Sequence, residues 1–203
     1  MRINIPILFR EDIEKASKIV SQGGLIVYPT DTVYGLGCDP FNIEAVERVF
    51  RVKRRGKKPL PVLATSRRRL EEICCFNEKA VKLGDRFWPG KLTLVLEAKV
   101  EIPCALKGVT VAVRVPGNHD TLKLIEACGG FLVGTSANLS GGHLPRSVSE
   151  ARIQLGDSID LYLDGGPTVG MPSTVVDLSS GRVEVLRVGA LDAVDIAPYM
   201  FDR

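Results

Sequence analysis

The stretch from Phe50 to Val62 reads FRVKRRGKKPLPV and packs six Lys or Arg residues into the eight positions from Arg51 to Lys58. Charge runs are ordinarily solvated, but Gly56 and Pro59 fix a turn inside this one, and the strand-like PVLAT holds it against a core. A held basic loop suits phosphate, whether of a small nucleotide or of a nucleic acid. On these residues alone, solvated surface stands as the equal alternative. Three hydroxyl-rich turns, YPTDTVYG, VGTSANLSGG and MPSTVVD, place small residues, free backbone N–H groups and hydroxyls beyond apolar strands. That is where α/β folds put their ligand crevices. With the basic loop, the three turns point to a site for a polar ligand bearing phosphates.

Other chemistry fits less well. GDRFWPGKL has the look of a P-loop, but five residues separate Gly84 from Gly90 where the motif has about four, and Leu92 stands where Ser or Thr should bind magnesium. Trp88 in the core, with Pro89 and Gly90 turning the chain, is the plainer reading. GTSAN is one residue short of a nucleophile elbow and leads into a loop instead of a helix. A Ser–His hydrolase would have to use His119 or His143, both in turns bearing Pro or Gly. Two histidines without paired cysteines do not make a permanent zinc site.

The elements that must position these groups alternate along the chain. A helix is predicted from Glu11 to Gln22, ended by Gly23 and Gly24, and LIVYP reads as a buried strand. TDTVYGLGCDPF reads as a loop. Asn42, Ser66 and Asn77 stand as caps of three helices, the second running to about Cys75 and the third stopping near WPG. LTLVLEA, VTVAVRV, FLVG, LYLD, TVVDL and VEVLRV read as strands, TLKLIEA and about Ser149 to Leu155 as helices, and SANLSGGHLP as a loop. With no repeat and no linker, one α/β domain over residues 1–203, a twisted mixed sheet flanked by helices, is the economical fold class.

Composition agrees with a soluble protein that buries a sizeable core: 45% hydrophobic and 25% charged residues in 203. The 27 basic and 24 acidic residues leave a net charge of only +3, so bulk electrostatics do not argue for a nucleic-acid binder. Five cysteines without a C-x-x-C pair fit a reducing cytoplasm. No segment has the length of a signal core or membrane span.

Taken together, GGLIVYPTDTVYGLGCDPF, the K-x-R element Lys53-Arg54-Arg55 followed by Pro59-Leu60, FWPGKLTLVL, VAVRVP, TSANLSG, DGGPTVGMPSTVVD and VLRVGAL resemble, in order and over nearly the whole chain, the YrdC-type L-threonylcarbamoyladenylate synthases. The resemblance implies a YrdC-like fold with a large, basic, concave cavity. It implies an enzyme that joins ATP, L-threonine and bicarbonate into threonylcarbamoyl-AMP and releases pyrophosphate. The product would pass to a separate transferase that modifies tRNA, with at most a weak tRNA contact by this chain. Mg²⁺ would arrive with ATP, and no permanent metal is implied.

By matching position, Thr32 and Ser173 fall where the family contacts threonine, Arg114 where it holds the substrate carboxylate, and Gly134 where a main-chain contact is made. Lys53 and Arg55 fall on the triphosphate as the catalytic cations, with Lys58 ending the same loop. Thr110, Ser136, Asn138 and Arg187 complete the nucleotide side. Arg51 and Arg54 are left to solvent. The basic loop is about one residue shorter than the family pattern, Leu63 and Leu144 replace polar contacts, and the extra C-terminal domain of the longer branch is not matched. The rival readings are an RNA-binding module using the basic cavity without catalysis, disfavoured because no aromatics interleave with the basic run, and a carbamoyl-transfer maturation factor.

Overall fold

Helices start where side-chain caps offer an acceptor to the first free N–H groups. The computed structural model describes residues 8–54, 56, 58–105 and 109–199. Helix α1 (Arg10–Ser21) buries Ile13, Ala16 and Val20. In α2 (Ile43–Val52) the Asn42 side-chain Oδ1 accepts from Ala45 N–H at 3.0 Å. Ser66 caps α3 (Arg67–Leu70) and Asn77 caps α4 (Glu78–Phe87) in the same way. Asn118 caps α5 (His119–Ala127) and Ser147 caps α6 (Val148–Leu155), both one or more residues ahead of the predicted starts. The short α7 (Ala193–Ile196) is unforeseen. Helix α3 stops well before Cys75, because the chain turns there to let Cys74 bridge to Ala98.

The strands are β1 (Ile26–Tyr28), β2 (Gly35–Gly37), β3 (Val62–Ala64), β4 (Leu92–Glu97), β5 (Thr110–Arg114), β6 (Phe131–Val133), β7 (Thr135–Ser136), β8 (Leu161–Tyr162), β9 (Thr174–Asp177) and β10 (Glu184–Arg187). They divide into a four-stranded sheet, β7-β2-β1-β8, and a six-stranded sheet, β10-β9-β4-β5-β3-β6. Both are mixed: β1–β8, β3–β5 and β4–β9 run parallel and the other pairs antiparallel. The mixed α/β class is as predicted, with two sheets where one was expected. Gly134 is the joint, since β6 belongs to one sheet and β7 to the other.

Strand β1 is buried on both sides. Val27 faces a large core with the inner face of the six-stranded sheet, while Ile26 and Tyr28 face a smaller core closed by α1 and α5. A continuous apolar run is what such a strand requires. β2 falls inside a predicted loop, and β7 straddles the predicted start of another. GLG carries no strand signal, yet glycine is what the Tyr28 ring demands: a Cβ on Gly35 would lie 2.9 Å from it and one on Gly37 2.7 Å. GDRFWPGKL runs from helix through turn into β4, the reverse of a P-loop's strand, loop and helix. Among the described residues no helix is long and apolar enough to cross a membrane.

Candidate active site

The outer face of the six-stranded sheet floors a cavity of about 690 Å³. Alternation along each strand selects the lining: Thr93 and Val95 from β4, Thr110, Ala112 and Arg114 from β5, and Ser173, Val175 and Asp177 from and just before β9. Gly35, Thr135 and Ser136 of the other sheet form a wall with the Thr30–Val33 turn. A second cavity of about 370 Å³ shares Ser136 and is lined by Lys53, Arg54, Lys58, Asn138 and Ser140 among others.

Arg114 organises one end. It is 5% exposed, and each part of its guanidinium is held: Nε donates to Gly90 O at 2.8 Å, Nη1 to Thr32 Oγ1 at 3.1 Å and Nη2 to Asp31 Oδ1 at 2.5 Å. Burial pulls its pKa below the usual arginine value, and the Asp31 carboxylate opposes that pull. Among the described residues three of its five N–H groups are engaged, so two could still donate to a ligand. Thr30 Oγ1 donates to Val33 O at 2.6 Å, so in its 2.9 Å contact with Thr32 Oγ1 the Thr32 hydroxyl is the donor. The chain Arg114 to Thr32 to Thr30 to Val33 therefore has one direction throughout.

Nearby, Ser173 Oγ lies 2.8 Å from Thr93 Oγ1, and Arg187 donates to Ser173 O through Nη2 at 2.8 Å and Nε at 3.1 Å. Gly134 donates its N–H to Pro61 O at 2.8 Å, and a Cβ there would meet Leu63 at 2.4 Å. Thr32, Arg114, Gly134 and Ser173 thus share the main cavity with Thr110, Ser136 and Arg187.

The basic loop divides. Lys53, at the C-terminal end of α2, is 2% exposed, and its ammonium donates to Ser136 O and, at 2.9 Å, to Asn138 O. Ser136 Oγ donates to Asn138 Oδ1 at 2.6 Å, and Ser140 N–H donates to Lys53 O at 3.0 Å. In this arrangement Lys53 ties the TSAN turn to α2. Lys58 and Arg54 are exposed on the second cavity; Arg54, which sequence left to solvent, is its unexpected member. Arg54 also takes a left-handed backbone, φ 48°, the only such residue other than glycine among those described. Arg55 lies outside the described residues.

Sequence reasoning missed Asp31, Thr93 and Asp177. Alternation through LTLVLEA and TVVDL was the signal for Thr93 and Asp177, because each lies two or four residues from a neighbour on the same face. Nothing in the sequence links Asp31 to Arg114.

Comparison with known proteins follows the same lines. The family model described as Telomere recombination, the Sua5/YciO/YrdC domain, matches residues 18–189. A threonylcarbamoyl-AMP synthase of Pyrococcus abyssi is 38% identical over 204 residues, covering 96% of this chain, and the chain spans 60% of that relative's length. One from Pseudoalteromonas translucida is 41% identical over 181 residues, covering 84% of this chain and 95% of its own length. Among solved structures, P. abyssi Sua5 complexed with L-threonine matches with TM-score 0.90 at 36% identity, over 97% of this chain and 60% of that one. Escherichia coli YciO matches with TM-score 0.86 at 30% identity over 96% of both chains. With its motifs, its fold and most of its length in agreement, the chain belongs to the Sua5/YciO/YrdC family.

Proposed function

We propose that this chain is a threonylcarbamoyl-AMP synthase, working as one domain over residues 1–203. The observation that carries the reading is Arg114: a buried guanidinium with two N–H groups uncommitted among the described residues lines a cavity that continues, past Ser136, into a cationic second cavity. That suits one small carboxylate ligand beside one phosphate-bearing ligand.

Threonine takes the Arg114 end, its carboxylate on the guanidinium and its other polar groups near Thr32, Ser173 and the Gly134 backbone. ATP, with Mg²⁺ held by its own phosphate oxygens and water, takes Thr110, Ser136, Asn138 and Arg187, with the triphosphate toward Lys53, Arg55 and Lys58. The threonine nitrogen bonds to the carbon of bicarbonate and water leaves. A carbamate oxygen then attacks the α-phosphorus as the bond to pyrophosphate breaks. Both steps are served by alignment and by cations facing the developing charge, so a protein with two histidines is equipped for them. The product is consumed by a separate transferase acting on tRNA, and the chain works in the cytoplasm.

The test is direct. Purified protein with MgATP, bicarbonate and labelled threonine should release pyrophosphate only when threonine is present and should form threonylcarbamoyl-AMP. Pyrophosphate release independent of threonine, or none across varied pH and magnesium, would sink the proposal.

A further inference from the structure

The cavity floor is charged unevenly, and strand register locates the difference. Val95 of β4 lies opposite Asp177 on β9 and Ala112 on β5, so these three form one row; Thr110 lies one row further along β5 and Arg114 one row back. Rows are about 6.8 Å apart and strands about 4.8 Å apart. The Asp177 position is therefore well separated from the Arg114 end, across β4 and toward the outer strand. Among the described residues lining the cavity, Asp177 is the only carboxylate.

Its geometry is set. Oδ1 accepts from the Ser179 N–H at 2.8 Å and the Ser179 hydroxyl at 2.7 Å, which fixes the group at the end of β9. Oδ2 has no hydrogen-bond partner among the described residues. Val95, Ala112, Val175 and Leu186 give the same cavity apolar surface, with Val95 directly opposite Asp177. Glu184, opposite Asp177 on β10, and Glu97, opposite Thr110, are exposed on the same face. Arg187, one row away on β10, spends Nε and Nη2 on Ser173 O.

An oriented carboxylate with a free acceptor lobe, backed by two more acidic side chains, repels phosphate and accepts from neutral donors. Beside apolar floor, the matching ligand part is a nucleoside whose base lies flat and whose sugar hydroxyls donate. We propose that Asp177 reads the ribose of the bound nucleotide. It accepts from a 2′- or 3′-hydroxyl and, by excluding phosphate from its end, turns the triphosphate toward Ser136 and the second cavity. The inference rests on the ATP-dependent reading above and adds the residue that distinguishes ribonucleotide from deoxyribonucleotide.

Asp177→Asn isolates the point, because its amide oxygen can still serve Ser179 while the free acceptor becomes a donor; Asp177→Ala is the second variant. Calorimetric binding of ATP, 2′-deoxy-ATP, 3′-deoxy-ATP and threonine to the full chain gives the readout. Wild type should prefer ATP about tenfold or more over at least one deoxynucleotide. In both variants ATP should weaken to about the deoxynucleotide level while threonine binding stays within about twofold. Equal wild-type affinity for all three nucleotides, a preference retained in the variants, or equal loss of ATP and threonine binding would overturn the inference alone. Wild type that binds no ATP would overturn the proposed function and this inference with it.

Discussion

Removing a guanidinium from water costs several kcal/mol unless a counter-charge and hydrogen bonds replace the lost solvent. For Arg114 the counter-charge is Asp31, at 2.5 Å, with both side chains largely buried. No local signal joins them, because they are 83 residues apart and Asp31 lies in a turn that reads as ordinary loop. Asp31→Asn keeps the shape and removes the charge, leaving a buried cation with neutral acceptors only. We expect it to lower stability by about 3 to 5 kcal/mol, read as a fall in the urea midpoint at unchanged m. A loss under about 1 kcal/mol would mean that water reaches this pair and that its burial is not what holds the Arg114 end. Lys53 teaches a related point. In a run of six cations nothing marks which one turns inward, and the distinction comes from tertiary structure: the carbonyls of Ser136 and Asn138 arrive from 83 and 85 residues away.

At the scale of elements, caps and periodicity made α1, α2, α4 and most strands legible, since Asn42, Ser66 and Asn77 do locally what their side chains allow. What stayed hidden are the elements defined by a partner. β2 is a strand because β1 pairs with it from Ile26↔Gly37 to Tyr28↔Gly35, with the Tyr28 ring lying over the glycines. The parallel pairing of β4 with β9 brings residues about 80 apart side by side and builds most of the cavity floor. Periodicity shows which residues share a face but not which strands become neighbours. Gly37→Ala tests the packing: its Cβ would sit 2.7 Å from the Tyr28 ring and 2.8 Å from Val133 O, and the backbone oxygen cannot rotate aside. We expect a loss of about 1 to 3 kcal/mol, measured by urea unfolding. Alanine at exposed Gly181 is not the control, because φ 78° strains it independently; alanine at Gly56, where a Cβ meets nothing within 4 Å, is, and should cost little.

For the whole molecule, the cavity depends on how two sheets are held about their joint at Gly134, and the outer strand of the smaller sheet is fastened by one carboxylate. Asp160 Oδ2 accepts the Leu25 N–H at 2.6 Å, at the entrance to β1, and Arg48 of α2 donates to both carboxylate oxygens at 2.9 and 3.2 Å. A single side chain thus joins α2, β1 and the approach to β8. Burial alone would raise its pKa; the Leu25 N–H and the Arg48 guanidinium outweigh that and hold it below the usual carboxylate value. A group whose pKa is lowered on folding stabilises the fold above its unfolded value, about 3.9, and that contribution is lost as pH falls through the folded value. The side chains are more than a third exposed, so solvent screens the pair and the effect is small. Protonated Asp160 and an asparagine have the same shape and charge, and Asp160→Asn should therefore converge on wild type in acid. We expect the wild-type advantage in urea midpoint to be full above about pH 5 and to shrink steadily toward about pH 3. A gap that stayed constant across that range would mean that Asp160 fastens the strand through its shape alone, with its charge and Arg48 playing no part.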